Sequence, residues 1–237
     1  MISKLSTAGH NIFSKENLTW KQIHFVKKHV QRANFVSWLK QNYDFLLCYH
    51  GCRPDDIGSS YKDGFLPSDF TRTISRFEQL LKSISYTQPY NIQQVLDSYD
   101  GQTNKYVYFI LDKEDFIDFA PHYIIYGSEL LLSLAQHVAS YIKGYLKERG
   151  TPTIFHCHIP LADIMDCELV YLYDQIISSK GSLTDRRDQI FSNYTIIVAN
   201  QISPACIASH EHPTVILKDV HTRGTYQNFV SSCSYCH

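Results

Sequence analysis

The first regular pattern along the chain is helical and covers residues 15–41. Its apolar positions recur at steps of three and four among Lys and Gln residues: Trp20, Ile23, Val26, Val30 and Ala33. This spacing lines apolar side chains along one helix face. An N-terminal helical segment is therefore predicted within residues 1–44.

A strand and then helices are predicted in the next part of the chain. The apolar run over residues 45–49 has strand length and stops just before Gly51 and Pro54. Asp55 or Asp56 can then cap a short helix that ends at Gly64. Two helical patterns separated by the breaker TQPYN predict an inserted helical pair at about residues 69–100.

The remaining patterns alternate strand and helix before turning mostly to strands. YVYFILD, residues 106–112, is rich in β-branched and aromatic residues and predicts a strand. Asp115 opens a helical region whose main part covers residues 127–147. Four later apolar runs have strand length, namely TIFHCHI, ELVYLY, TIIVA and TVILK. The last third of the chain is thus expected to be mostly β, with a weakly patterned, mobile tail over residues 221–237.

These elements predict a single α+β domain over residues 1–237, with its core at residues 45–220. A chain of 237 residues with 44% hydrophobic residues can bury a sizeable core. The net charge of −1 excludes an overall field that attracts nucleic acid or anionic membrane. No apolar run is long enough to cross a membrane. The seven scattered Cys and the N-terminus, which lacks a secretory pattern, predict a cytoplasmic protein.

The candidate chemistry begins at Tyr49-His50-Gly51-Cys52, where the first strand meets a turn. Glycine allows a ligand to approach the main chain closely, and histidine can donate and accept hydrogen bonds. Taken alone, the pair is explained more simply by a glycine turn with a surface histidine. The order of further motifs along the chain decides between these interpretations.

That order resembles the ADP-ribosyltransferase superfamily. YHGC is followed by GFLP, then by the strand motif VYF (residues 107–109) and by the helix motif YGSEL (residues 126–130). The nearest branch is that of the rifamycin ADP-ribosyltransferases, which is diphtheria-toxin-like. The resemblance covers roughly residues 45–68 and 105–135. It implies split mixed or antiparallel β-sheets and a bacterial enzyme of toxin or defence type.

The resemblance also implies how NAD would be held. His50 would hydrogen-bond the ribose next to nicotinamide, and the main chain of Gly51 would pair with the carboxamide. Tyr108 would stack on the nicotinamide ring, with Tyr126 or Tyr123 on its other side. An aromatic face suits a flat aromatic ligand.

Two neighbours of Gly51 complete the implied binding site. Cys52 takes the place of the hydroxyl residue that usually follows His-Gly, and it is a weaker hydrogen-bonding group. Arg53 is a candidate for bidentate contact with the pyrophosphate, although a solvated arginine is the simpler interpretation.

Breaking the bond between nicotinamide and ribose builds positive charge on the sugar, so the site needs a carboxylate. Where the poly(ADP-ribose) polymerase branch has a Glu, this chain has Asn193. The rifamycin-modifying branch uses an Asp after the strand that follows the long helix, which selects Asp163. Asp166, Glu168 and Asp188 are the alternatives.

The resulting hypothesis is an enzyme that uses NAD as substrate and transfers a single ADP-ribose with release of nicotinamide. The acceptor is a protein, a nucleic acid or a small molecule that the sequence does not identify. Water as acceptor would make the protein an NAD glycohydrolase. The alternative from another class is a catalytically inactive binding or interaction protein of the same fold, and Asn193 favours it.

Other chemistry is possible at residues that this hypothesis leaves unused. His210 and His212, together with Cys233 and Cys236 of a Cys-x-x-Cys-His sequence, are zinc-ligand types. Because no strand or knuckle pattern frames them, no metal is expected. Cys48 or Cys157 beside His156 and His158 could form a thiol nucleophile pair, but buried cysteines in strands are usually structural. His156 and His158 share one strand face.

Overall fold

The computed structural model describes residues 11–67, 69–99, 106–229 and 233–236. Its helices are α1 (Trp20–His29), α2 (Phe35–Asn42), α3 (Ile57–Asp63), α4 (Phe70–Ser83), α5 (Gln93–Ser98), α6 (Asp115–Asp118), α7 (Pro121–Tyr126), α8 (Glu129–Val138), α9 (Ile142–Leu146), α10 (Asp166–Ser178) and α11 (Leu183–Phe191). Its strands are β1 (Ile12–Phe13), β2 (Phe45–Cys52), β3 (Val107–Ile110), β4 (Thr153–Pro160), β5 (Thr195–Val198), β6 (Ile207–Glu211), β7 (Ile216–Asp219) and β8 (Gly224–Gln227).

Six of the strands form one sheet around β2. The strand order is β5-β3-β2-β4-β6, all pairs being antiparallel, and β1 adds to the start of β2 in parallel. β2 and β4 are in register over eight residue pairs, from Phe45 with Pro160 to Cys52 with Thr153. β7 and β8 form a separate antiparallel hairpin. β2 is thus paired with β4 along its whole length, and it also pairs with β1 and β3.

The two faces of this sheet carry two hydrophobic clusters, because side chains alternate between faces along each strand. The first cluster contains Leu46, Cys48 and Phe155 from the sheet, together with side chains of α1, α2, α10 and α11. The second cluster contains Tyr49 and Ile154, together with side chains of α4 and of the helices from α6 to α9. Helices thus cover both faces of one sheet.

Local sequence signals explain several helix boundaries. Asp56 caps α3 by accepting from the Gly58 N–H at 2.9 Å, and the helix ends at Gly64, as predicted. Gly64 has a φ of 74°, in the region that favours glycine. The two helices predicted at about residues 69–100 are also confirmed as α4 and α5, and Asp69 caps α4.

Three predictions for secondary structure were wrong. ELVYLY lies within helix α10, in which Leu169, Leu172 and Ile176 are buried at helical spacing. The last third of the chain is therefore not mostly β, and it also contains α11. β2 does not stop before Gly51 but continues through Cys52. The tail includes β8 at residues 224–227, whereas His237 of the Cys-x-x-Cys-His sequence lies outside the described residues.

The protein combines helices with antiparallel sheets, so the α+β class is confirmed. The single domain and the ADP-ribosyltransferase-like arrangement stay predictions. Within the described ranges, no helix has both the length and the apolar character to cross a membrane.

Candidate functional site

Main-chain pairing between β2 and β3 is short. Tyr49 and Ile110 are the one residue pair in register between these strands, whereas β4 stays paired with β2 through Cys52. At the next residue, the imidazole of His50 connects the two strands, because its Nδ1 lies 2.9 Å from the carbonyl oxygen of Tyr108. A side chain thus bridges two strands where main-chain pairing between them ends.

This contact also sets the chemistry of His50. A carbonyl oxygen can only accept, so Nδ1 carries the proton and Nε2 is left as an acceptor. The ring packs on Phe65, with ring centres 4.5 Å apart, and on Phe109 at 5.6 Å. Burial lowers the pKa of His50 from its usual value, against the opposing effect of the Tyr108 carbonyl. His50 is therefore a neutral imidazole at pH 7.

His50 opens onto a cleft between the end of β2 and the helices α3 and α4. The cleft has a volume of about 290 Å³. This lies at the lower limit of the range of roughly 300–1,000 Å³ that is typical of small-molecule sites. Many of the side chains that line the cleft are polar, among them His50, Ser59, Ser60, Asp63, Arg72 and Arg76.

Two arginines of the inserted helix α4 supply positive charge to the cleft. Arg72 and Arg76 are one helical turn apart and exposed, so they face the same side. Arg76 forms an ion pair with Asp55 at 3.1 Å, and Arg72 donates to the carbonyl oxygen of Pro67 at 3.2 Å. Neither arginine was predicted from the sequence, although their i, i+4 spacing beside a buried stripe of α4 was a usable signal.

Gly51 is required by packing rather than by a turn. A Cβ at this position would lie 2.5 Å from Cε1 of Phe116, a side chain that is almost fully buried. The ring of Phe116, from α6, therefore covers the face of Gly51 on which a side chain would lie. Contact between an aromatic ring and bare main chain is the structural reason for glycine here.

Tyr108 does not share the cleft with His50. Successive residues of β3 face opposite sides, and it is Phe109 that packs against the imidazole. Tyr108 is 47% exposed on the other face of the sheet. Tyr123 donates to Glu129 at 3.3 Å. Neither tyrosine is among the residues that line the cleft.

Two other predicted binding residues have structural roles. Arg53 is buried and donates to the carbonyl oxygens of Arg149, Ile124 and Lys147 and to the hydroxyl of Tyr226. Four of its five N–H groups are therefore already used. Arg53 also lines the cleft, and its contact with a pyrophosphate stays a prediction.

Tyr126 is equally unsuited to stacking on a ligand. It is buried, and its hydroxyl donates to Asp219 at 2.8 Å. Cys52 does line the cleft, but burial raises the pKa of its thiol to about 12, so it is neither a nucleophile nor an ionised ligand at pH 7.

None of the predicted carboxylates reaches His50. His50 pairs with Phe155, whereas Asp163 follows the far end of β4, where Pro160 pairs with Phe45. Pro160 is five residues further along the strand than Phe155, a distance of about 17 Å at the usual rise per residue. Asp163 is therefore not a partner of His50, because the antiparallel direction of β4 carries it away.

The three alternatives lie elsewhere too. Asp166 pairs with Lys40 at 2.8 Å, and Asp188 pairs with Lys15 at 2.8 Å. Glu168 lies against the edge strand β5, where burial raises the pKa of its carboxyl. Of the described residues that line the cleft, Asp63 is the one carboxylate.

Asn193 has a local explanation. Its φ is 57°, in the left-handed region that asparagine tolerates better than most residues. Its N–H donates to Asp115 at 2.7 Å, while burial raises the pKa of that carboxyl to about 6. Main-chain conformation thus accounts for the residue type at this position.

A second polar group lies on the sheet face opposite His50. Glu211 accepts from Lys113 at 2.9 Å and lies 3.4 Å from Nε2 of His156. These contacts outweigh burial and lower the pKa of Glu211 to about 2. His156 and His158 pair with Tyr49 and Leu47 of β2, which confirms that they share a face.

The possible thiol nucleophiles lie on the other side of the sheet. Cys48 and Cys157 are fully buried in the first cluster, and burial raises the pKa of both thiols. They are packed core residues and not nucleophiles. All seven cysteines of the chain are free.

Comparisons of this chain with protein-family models, with curated proteins and with solved structures found no match. Function is therefore inferred from the geometry of the cleft and from the order of the sequence motifs.

Proposed function

We propose that the protein is an NAD-dependent mono-ADP-ribosyltransferase that binds NAD in the cleft at the end of β2. The observation that carries this proposal is the neutral, oriented imidazole of His50 opposite Arg72 and Arg76 in one cleft. Two guanidinium groups suit a diphosphate, which they can contact through paired N–H donors. The order of the sequence motifs supplies the reaction type.

The roles follow from the donors and acceptors that each residue offers. Nε2 of His50 accepts from a ribose hydroxyl, and Arg72 and Arg76 hold the diphosphate. Asp63 stabilises positive charge on the sugar as the bond from C1′ to the nicotinamide nitrogen breaks. The bonding electrons leave with nicotinamide, the acceptor atom bonds to C1′, and its proton is lost to solvent.

A second candidate is a protein that binds a nucleotide without turning it over. Two observations favour it: Phe116 covers Gly51, and the four carboxylates selected from the sequence lie away from the cleft. In this case His50 and the two arginines would still bind the nucleotide, and Asp63 would have no effect on nicotinamide release.

NAD binding and nicotinamide release, measured separately on the same preparations, distinguish these candidates. Charge-assisted hydrogen bonds contribute about 1.5–3 kcal/mol, so Arg72→Ala or Arg76→Ala should weaken NAD binding roughly 10- to 100-fold. Arg32→Ala is the matched control, because Arg32 is an exposed arginine that forms an ion pair with Asp174. Its NAD affinity should equal that of the wild type.

Asp63→Asn tests the catalytic step. The proposal expects this variant to bind NAD normally and to release nicotinamide at least tenfold more slowly. NAD binding without release by the wild type would select the second candidate. Absence of NAD binding by the wild type would overturn both candidates.

A further inference from the structure

Four metal-ligand side chains from separate parts of the chain converge beside β6. They are His210, His212, Cys233 and Cys236, and their ligand atoms all lie within 4.8 Å of one another. His210 and His212 are two residues apart on a strand and its extension, so they point to the same side. β6 is the framing strand that the sequence analysis missed, which is why it disfavoured a metal.

The distances within the group suit a tetrahedral zinc ion. Nε2 of His210 lies 3.4 Å from Sγ of Cys233 and 3.3 Å from Sγ of Cys236. With zinc bonded to sulfur at about 2.3 Å and to nitrogen at about 2.0–2.1 Å, neighbouring ligand atoms of a tetrahedron are roughly 3.6 Å apart. The N–H of Cys236 donates to the carbonyl oxygen of Cys233 at 3.2 Å, so the two thiols project from one turn.

Both histidines are held with Nε2 towards the group. Nδ1 of His212 donates to the carbonyl oxygen of Pro152 at 2.8 Å, and Nδ1 of His210 lies 2.7 Å from the hydroxyl of Tyr61. Such contacts to the other ring nitrogen are the usual support of a metal-bound imidazole.

His212 gives a second, independent indication of a ligand. Its Nε2 is buried and has no hydrogen-bond partner among the described residues. An unpartnered buried polar atom is costly, and a bound cation removes that cost.

We propose that His210, His212, Cys233 and Cys236 bind one structural zinc ion that fastens the C-terminal segment to β6 and α3. Four protein ligands leave no open position, which is the mark of a structural rather than a catalytic zinc. The same segment carries Tyr235, which stacks on Tyr61 of α3 with ring centres 5.7 Å apart. The metal thus supports the outer side of the helix that lines the cleft, independently of any NAD chemistry.

Metal content and cobalt spectroscopy test the site on the full chain without a tag and without NAD. Elemental analysis of protein purified under reducing conditions should give one zinc per chain. The double variant Cys233→Ser and Cys236→Ser should contain none. Cys167→Ser, which removes an exposed thiol of α10, should keep the full amount.

Cobalt substitution uses the wild type alone, so its result does not depend on whether the double Cys variant folds. Metal-free protein titrated with Co²⁺ should show the visible bands of a tetrahedral ion and a thiolate charge-transfer band, saturating at one equivalent. Wild type that contains no zinc and gives no such bands would overturn the proposal. So would a disulfide between Cys233 and Cys236 in protein isolated under reducing conditions. Neither result depends on NAD turnover.

Discussion

At the scale of single residues, His50 and Gly51 interrupt the strand pattern for two separate physical reasons. The imidazole of His50 replaces main-chain pairing between β2 and β3 through its contact with Tyr108. Gly51 admits the ring of Phe116. One residue therefore faces the cleft, whereas its neighbour is fixed by the second hydrophobic cluster.

Gly51→Ala should lower the free energy of unfolding by about 1–3 kcal/mol, because its Cβ would displace a buried ring. The matched control is Gly144→Ala in α9, where an added Cβ meets nothing within 4 Å. That change should instead stabilise the protein by about 0.5–1 kcal/mol, since alanine is the better helix former. Urea denaturation measures both.

Phe116→Leu in the Gly51→Ala background should return part of the lost stability, because the two positions are in contact. A Gly51→Ala protein as stable as the wild type would show that the ring of Phe116 is not packed tightly against Gly51.

At the scale of elements, the buried carboxylate of Asp219 ties the β7–β8 hairpin to α7 and to Lys147, which follows α9. Asp219 is buried and accepts from Tyr126 at 2.8 Å, from Thr222 at 2.6 Å and from Lys147 at 2.5 Å. Burial opposes its ionisation, but these donors outweigh burial and lower the pKa of Asp219 to about 2. The ionised form is therefore the one that docks the hairpin.

Asp219→Asn should lower the free energy of unfolding by about 2–4 kcal/mol at pH 7, because it removes the buried partner of Lys147. The pKa of this carboxyl is lower in the folded than in the unfolded state. The difference between the variant and the wild type should thus be constant above about pH 5 and shrink as the pH falls towards 2. Denaturation at pH 7, 5 and 3.5 measures it.

Asp174→Asn is the control for this prediction. Asp174 forms an exposed ion pair with Arg32, so its loss should cost less than about 1 kcal/mol. Equal effects of the two substitutions at pH 7 would show that Asp219 does not anchor the hairpin.

The elements also show what the sequence could predict. α3, α4 and β3 were predictable because capping residues, breakers and periodicity all act locally. α10 was not, because ELVYLY has strand composition and only contacts with distant helices reveal its helical face. The position of Asp163 depended on the direction of β4, and the convergence of His210 and His212 with Cys233 and Cys236 depended on the unpredicted β6, so neither was visible in local patterns.

At the scale of the whole molecule, the sheet joins the two hydrophobic clusters. Residues of β2 alternate between them, with Leu46 and Cys48 in the first cluster and Tyr49 in the second. If either cluster unfolds, one face of β2 loses the side chains that pack against it. The two halves should therefore unfold together, as the prediction of a single domain requires.

The positions of the tryptophans make this testable. The chain has two, Trp20 in α1 and Trp38 in α2, and both lie on the side of the first cluster. Leu134 is fully buried in α8, within the second cluster. Leu134→Ala should lower the free energy of unfolding by about 2–5 kcal/mol. Because the sheet couples the clusters, tryptophan fluorescence and far-ultraviolet circular dichroism should report the same lowered midpoint. A shift in circular dichroism with unchanged fluorescence would mean that the clusters unfold separately.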